Sequence, residues 1–238
     1  MKINIVLPIL NEENRLESGC RTVLTYMEAH APGEYRITIM DNGSTDCSEE
    51  IAMHLVAQYP DIVHYRKLTE KGVGIAFRTA IRENTCDVIG YMDVDISTKI
   101  DHMAQVMEYF KENKNATILN GSRLSKGSVV LDKKASRKVT SLGLKYLLKI
   151  VFGMKINDCI CGFKFFKKEI AEELADRCSD EKGWFYCIEM LLRAERMGIS
   201  IYEIPVVWQD DPRTTVNTKK VILNYLHCIY RLFLDFHR

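Results

Sequence analysis

The sequence has no surplus of charge of one sign: 33 lysines and arginines stand against 32 aspartates and glutamates, and no long like-charge run occurs. A chain so balanced has no global field to draw in nucleic acid, so any partner must be recognised locally. Long apolar runs are also missing. Nowhere do about 18 or more apolar residues follow one another, which excludes a bilayer-spanning helix. Soft metal ligands do not cluster either. The eight cysteines (20, 47, 86, 159, 161, 178, 187 and 228) have no repeated spacing, Cys159-Ile160-Cys161 has no second pair, and the six histidines show no ligand spacing. A zinc site is therefore not expected, and buried thiols are. The start, Met1-Lys2-Ile3-Asn4, lacks a basic segment, an apolar core and a small-residue cleavage site, so a reduced, cytosolic chain is expected.

What is present is an alternation of short β-branched runs with helical patterns. At 238 residues one domain with a sizeable core is expected. Strands are predicted over Lys2 to Pro8, Tyr35 to Asp41, Ile62 to Lys67, Asp87 to Met92 and Thr117 to Ser122. Helices fall between them, from Asn11 to about Ala31, Cys47 to Tyr59, Gly74 to Glu83 and Ile100 to Lys111. Asp46 followed by Glu49 has capping-box spacing at the start of the second helix. Connections this short imply an open, mostly parallel sheet with helices on both faces. Further on come a polar loop from Leu124 to Lys138, a helix from Val139 to Phe152, a strand from about Cys159 to Phe166, helices Lys168 to Arg177 and Phe185 to Met197, and a strand Ile201 to Val206. A last amphipathic helix runs from Lys219 to Arg238.

The run Ile89-Gly90-Tyr91-Met92-Asp93-Val94-Asp95 ends a predicted strand on two carboxylates one residue apart. In extended chain such a pair points the same way and can meet on one hard cation, with Ser97 two residues on. The carboxyl ends of parallel strands are also where α/β folds place their ligands. A turn and helix N-cap is the other reading of the same triplet. A nicotinamide site is not supported. Gly72-Val73-Gly74 has Phe77 where the third glycine of the dinucleotide fingerprint belongs, and it follows the third strand instead of the first.

Pro8-Ile9-Leu10-Asn11-Glu12-Glu13, Asp41-Asn42-Gly43-Ser44-Thr45-Asp46, Lys71-Gly72, Asp93-Val94-Asp95 and Gly121-Ser122-Arg123 fall in an order and spacing that resemble the inverting family 2 glycosyltransferases of the GT-A fold. Two later stretches, Cys161-Gly162-Phe163-Lys164-Phe165-Phe166 and Ile204-Pro205-Val206-Val207-Trp208-Gln209-Asp210-Asp211-Pro212, look like the dolichyl-phosphate or polyprenyl-phosphate mannose and glucose synthases within that family. The resemblance covers nearly the whole chain. It implies a GT-A domain over 1–218, with 219–238 as an amphipathic helix of that domain or of a membrane interface.

What the resemblance implies at the site is specific. Asp93 and Asp95 would hold Mg or Mn against the donor diphosphate, where a divalent cation stabilises the leaving charge, with Ser97 completing the shell. Pro8, Leu10, Glu12, Asp41 and Val94 would line the donor pocket, with Lys71 close to it. Glu12 complementing a helix N-terminus and Asp41 capping a turn are the structural alternatives. Arg123 and Arg137 would serve the diphosphate and the acceptor phosphate, since a planar guanidinium donates two parallel bonds. The donor would be GDP-mannose or UDP-glucose and the acceptor a polyprenyl phosphate taken from a membrane surface. The chain would then lie peripherally at the cytoplasmic face.

Departures from the family pattern bear on the acceptor. Tyr186-Cys187-Ile188-Glu189 stands where Phe-Asp-x-Glu is frequent, so an acid is missing at Cys187. A lipid phosphate arrives ionised and needs no base, whereas a hydroxyl acceptor does. Thr214-Thr215 replaces an expected Ser and basic residue, for which Arg213, Lys219 or Lys220 would substitute. The alternatives are transfer to a sugar hydroxyl, with Glu189, Asp210 or Asp211 as base, and a silent binding module of the same fold. The basic amphipathic stretches Val139 to Phe152 and Lys219 to Arg238 suit either core packing or an anionic lipid surface.

Overall fold

A computed structural model describes residues 1–131, 135–209 and 218–237, with backbone alone for 135–138 and 218–220. The first half alternates β1 (Ile3–Ile9), α1 (Leu16–His30), β2 (Tyr35–Asp41), α2 (Ser48–Gln58), β3 (Val63–Lys67), α3 (Val73–Arg82) and β4 (Val88–Met92). There follow α4 (Met103–Glu112), β5 (Ile118–Ser122), β6 (Val129–Leu131), α5 (Ala135–Phe152), β7 (Phe163–Lys167), α6 (Lys168–Arg177), α7 (Phe185–Arg196), β8 (Ile201–Pro205), β9 (Val207–Gln209) and α8 (Thr218–Phe236). Seven strands form one sheet in the order β3-β2-β1-β4-β7-β5-β8. All neighbours are parallel except where β7 runs antiparallel to both β4 and β5.

Period-two alternation in the strands divides the core. Ile3, Ile5, Leu7 and Ile9 face α1, α2 and α4 with Leu16, Val23, Leu55 and Val106, while Val6 faces the opposite layer with Phe77, Leu174, Phe185 and Leu191. Each such fully buried side chain contributes about 1.5–3 kcal/mol. The mostly parallel sheet covered on both faces agrees with the expectation from the sequence.

Four local expectations are corrected. The first helix starts at Leu16 and not at Asn11, because Asn11 adopts a left-handed φ of 56° and residues 11 to 13 donate their N–H groups to the β2–α2 loop. The capping box at Asp46 is not closed: Asp46 accepts from the Ser48 N–H at 3.0 Å, but Glu49 takes the Lys67 ammonium. The strand expected from Cys159 starts at Phe163, since Asp158 to Ile160 are held as a loop by Asp158 and Glu203. Within the expected loop from Leu124 to Lys138, β6 pairs in parallel with β9, and α5 already begins at Ala135.

Helix α8 packs its inner side, Cys228, Ile229 and Leu232, into the second core, and Phe236 meets Phe152 of α5 edge-on at 5.5 Å. Its outer side leaves Leu223 69% exposed, beside exposed Leu226 and Tyr230, and α5 leaves Ile150 83% exposed with Val139 and Tyr146. Among the described residues no helix is long and apolar enough to cross a membrane.

Candidate active site

Register brings the carboxyl ends of four strands to one level, with Ile9 opposite Asp41, Asp41 opposite Lys67, and Val6 opposite Tyr91. The loops leaving those ends are tied to one another. Asn42 donates its backbone and side-chain N–H groups to the Ile9 carbonyl at 2.9 and 3.0 Å, and its side-chain oxygen accepts from the Gly72 N–H at 3.3 Å. Ser44 and Ser48 accept the N–H groups of Asn11 and Glu12 at 2.9 and 2.8 Å. Two of the motifs read separately in the sequence therefore form one wall at the carboxyl edge of the sheet.

Asp41 is fully buried in that wall, accepting the Ser44 N–H at 2.7 Å on one oxygen and the Tyr65 hydroxyl at 2.8 Å on the other. It caps the turn as the structural alternative required, and lone pairs remain on both oxygens for a further donor. Pro8 is partly buried, Leu10 is 43% exposed, and Lys71 is exposed beside Gly43. Glu12 receives Arg15 through two bonds, Nε to Oε2 at 2.7 Å and Nη2 to Oε1 at 2.8 Å. The same guanidinium stands 3.8 Å from Asp95 Oδ2, so a predicted donor residue is linked to a predicted metal ligand. Gly72 and Gly74 serve packing: a Cβ on either would meet the backbone of the 181–183 segment within 2.0–2.7 Å, and the Gly74 N–H donates to the Lys182 carbonyl.

Asp93 and Asp95 sit just beyond β4. Ile96, at a left-handed φ of 53°, turns the chain so that its N–H returns to the Asp93 carbonyl. Ser97 donates both its N–H and its hydroxyl to Asp95 Oδ1, at 2.9 and 2.6 Å, and so fixes that carboxylate. Val94 is buried, and α1 touches its carbonyl closely, because a Cβ on Gly19 would stand 2.0 Å away. Burial and the charge of Asp95 push the Asp93 carboxyl up to about 7, against the pull of Arg123 and Lys164. Two partly buried carboxylates this close together are short of positive charge, and their oxygens would suit a hard divalent cation. Among the described residues, no group of three or more His, Cys, Asp or Glu gathers as a self-sufficient metal cage.

Behind this pair lies Arg123, whose Nε and Nη2 reach Asp158 at 2.7 and 3.0 Å and whose guanidinium covers Trp208 at 5.2 Å. Its charge acts on Asp93, but two of its nitrogens are committed to Asp158. The side chain of Arg137 lies outside the described residues, as do Lys219 and Lys220 and all of Asp210, Asp211, Arg213, Thr214 and Thr215. Glu189, an alternative base, is held in a network of its own. It is fully buried among the Ser179 N–H and hydroxyl, Arg193 at 2.9 Å and Arg231 at 3.4 Å. Cys187 does approach the site, bonded to the Tyr91 hydroxyl, with its thiol pushed up to about 11 by burial.

Sequence reasoning missed Arg15, Asp158 and Lys164. Arg15 follows Glu12 by three residues, a helical ion-pair spacing that was readable. Asp158 had no such signal, since Arg123 lies 35 residues away, and the burial of Lys164 is decided by its pairing with β4 and β5.

Residues 4–175 match the sequence model described as glycosyl transferase family 2. Glycosyltransferase AglD of Haloferax volcanii is 30% identical over 224 residues, covering 94% of this chain and 35% of that protein. Dolichyl-phosphate beta-glucosyltransferase ALG5A of Trichomonas vaginalis is 28% identical over 216 residues, covering 87% of this chain and 66% of that protein. The chain thus spans about a third of the first relative and just under two thirds of the second. Among solved structures, glucosyl-3-phosphoglycerate synthase from Mycobacterium tuberculosis in complex with UDP superposes with a TM-score of 0.66 at 16% identity, over 92% of this chain and 74% of that one. The same synthase with Mn2+, UDP-glucose and phosphoglyceric acid gives 0.65 at 18% identity, over 89% and 72%.

Proposed function

The chain belongs to glycosyl transferase family 2 and has the GT-A fold, and on that premise we propose that it moves glucose from UDP-glucose to a polyprenyl phosphate, inverting the anomeric carbon. The observation that carries this reading is the carboxylate pair Asp93 and Asp95, set at the carboxyl end of β4 beside the wall built from the β1 and β2 loops. Glucose is preferred to mannose because the Trichomonas relatives are named glucosyltransferases and the solved neighbour is named with UDP-glucose.

Asp93 and Asp95 would hold Mg or Mn; the cation, when bound, supplies positive charge to the departing diphosphate. The chain's own part is placement. Ser97 and Arg15 hold Asp95, and Asp41, bonded to Ser44 and Tyr65, would fix the loop that borders the nucleoside. Pro8, Leu10, Glu12, Val94 and Lys71 would border the same donor, and Arg137 would meet the acceptor phosphate. Neither α7 group at the family motif is open to act as base: Glu189 is enclosed, and the thiol of Cys187 is held protonated by burial. An acceptor that arrives as an anion needs none, which supports a phosphate over a sugar hydroxyl. The outward stripes of α5 and α8 would rest on the membrane surface that offers such a lipid, placing the chain peripherally at its cytoplasmic face.

The test is a release assay with UDP-glucose or GDP-mannose, with or without Mn, offering polyprenyl phosphate or a glycan as acceptor. Metal-dependent UDP release driven by polyprenyl phosphate is expected. Release driven only by a glycan hydroxyl would reject the acceptor, and no turnover with any donor would favour a binding module.

A further inference from the structure

We propose that Gly162 and Lys164 form a cradle that sets the position of Asp93, and that both act as positioning residues for the metal site. The inference rests on the metal-dependent reading above. Strand β7 enters the sheet antiparallel where β4 leaves it, with Phe163 opposite Met92, so the residue before β7 lies beside Asp93. The Gly162 carbonyl accepts the Asp93 N–H at 3.3 Å. A Cβ at position 162 would stand 2.0 Å from Asp93 Oδ2 and 2.4 Å from its Cγ, so the carboxylate lies directly against the glycine Cα. Gly162 is not among the glycines at positive φ, so this close approach, and not a backbone angle, is what demands glycine.

Lys164 holds the other side of that peptide. It is fully buried opposite Tyr91 on β4 and Asn120 on β5, its ammonium donates to the Cys161 carbonyl, and it lies 5.7 Å from the centre of the Tyr91 ring. A buried ammonium is costly to desolvate, and the hydrogen bond it makes here is to a backbone carbonyl. Its placement has another use. Pinning the Cys161 carbonyl fixes the Cys161–Gly162 turn, and that turn fixes where the carboxylate of Asp93 stands. Partners of this kind behind a metal ligand typically control affinity as strongly as the ligand geometry itself.

The experiment uses the full chain and reads Mn binding directly, by loss of the free-ion paramagnetic resonance signal on titration with UDP present, alongside thermal unfolding without metal. Gly162→Ala and Lys164→Met are each expected to weaken Mn binding about 10- to 100-fold. UDP binding without metal should be unchanged, and Lys164→Met should lose some thermal stability because it leaves the Cys161 carbonyl without its donor, while remaining folded. Losing the Lys164 charge would by itself raise the Asp93 carboxyl and weaken Mn binding, so weakening in Gly162→Ala, which changes no charge, is what identifies positioning. Lys164→Arg should restore part of the affinity. Folded variants that bind Mn as the wild type does would overturn the cradle. A wild type that holds no Mn with UDP would overturn the metal reading itself, and the cradle with it.

Discussion

Arg123 and Asp158 form a two-pronged ion pair, Nε to Oδ2 at 2.7 Å and Nη2 to Oδ1 at 3.0 Å, and the Arg123 backbone N–H adds a third bond to Oδ2 at 2.9 Å. The pair joins the end of β5 to the loop before β7, with Asp158 completely enclosed. Asp158 in turn is steadied by its N–H to Glu203 on β8. An arginine 35 residues from its partner thus acts as the floor of the site as well as a charge near Asp93.

Replacing Asp158 by Asn should therefore cost about 3–5 kcal/mol, because it leaves Arg123 buried without a counter-charge. Burial works to raise the Asp158 carboxyl, but the charge and hydrogen bonds of Arg123 outweigh it and hold the group below the usual carboxylate range. The folded value lies below the unfolded one, so this stabilisation is complete above about pH 4 and is lost as the pH falls further. Denaturant unfolding of wild type and variant should show a gap that is widest near neutrality and narrows toward acid. A gap independent of pH would contradict the assignment.

Asp95→Asn keeps the size of the side chain and its place beside Ser97 while removing a charge. Turnover should fall on the order of 10²-fold or more, as losing a transition-state charge contact does. Wild-type turnover by this variant in excess EDTA would show that the carboxylate pair holds no catalytic metal.

Glu189→Gln separates a buried structural acid from a base. Its partners Ser179, Arg193 and Arg231 make a charge network, so the variant should lose stability, on the order of 1–3 kcal/mol for hydrogen bonds to charged groups. The activity of the folded protein should stay within about twofold, well short of the 10²-fold or more that losing a general base costs. A large fall in turnover with unchanged stability would return Glu189 to the list of bases.

The outer stripe of α8 can be altered without touching the core. Leu223, Leu226 and Tyr230 point outward, whereas deleting the whole helix would remove Cys228, Ile229 and Leu232 from the second core. Changing the three outward residues to Ser should leave the unfolding temperature nearly unchanged and weaken co-sedimentation with anionic vesicles, since buried apolar area supplies most of such binding. Undiminished co-sedimentation would remove this face from the membrane contact.

The sequence by itself determined the alternation of strands and helices, the mostly parallel sheet and the Asp-x-Asp at a strand end, because periodicity and turn chemistry are local properties. It also showed Pro8, Asp41 and Lys71 as members of a recognisable order. Only the tertiary structure decided how these pieces meet. Asn11 is left-handed because Ser44, Ser48 and Asp46, more than thirty residues on, take the N–H groups that would otherwise have started a helix. β6 was unreadable because three residues become a strand only when β9 supplies the partner. Glu189 looked like an acid near a catalytic motif until the packing of α7 against α8 enclosed it. Gly162 and Lys164 stood in a recognisable stretch, but their placement beside Asp93, like the bond of Asp158 to Arg123, is set only when the chain closes, by antiparallel insertion of β7 beside β4.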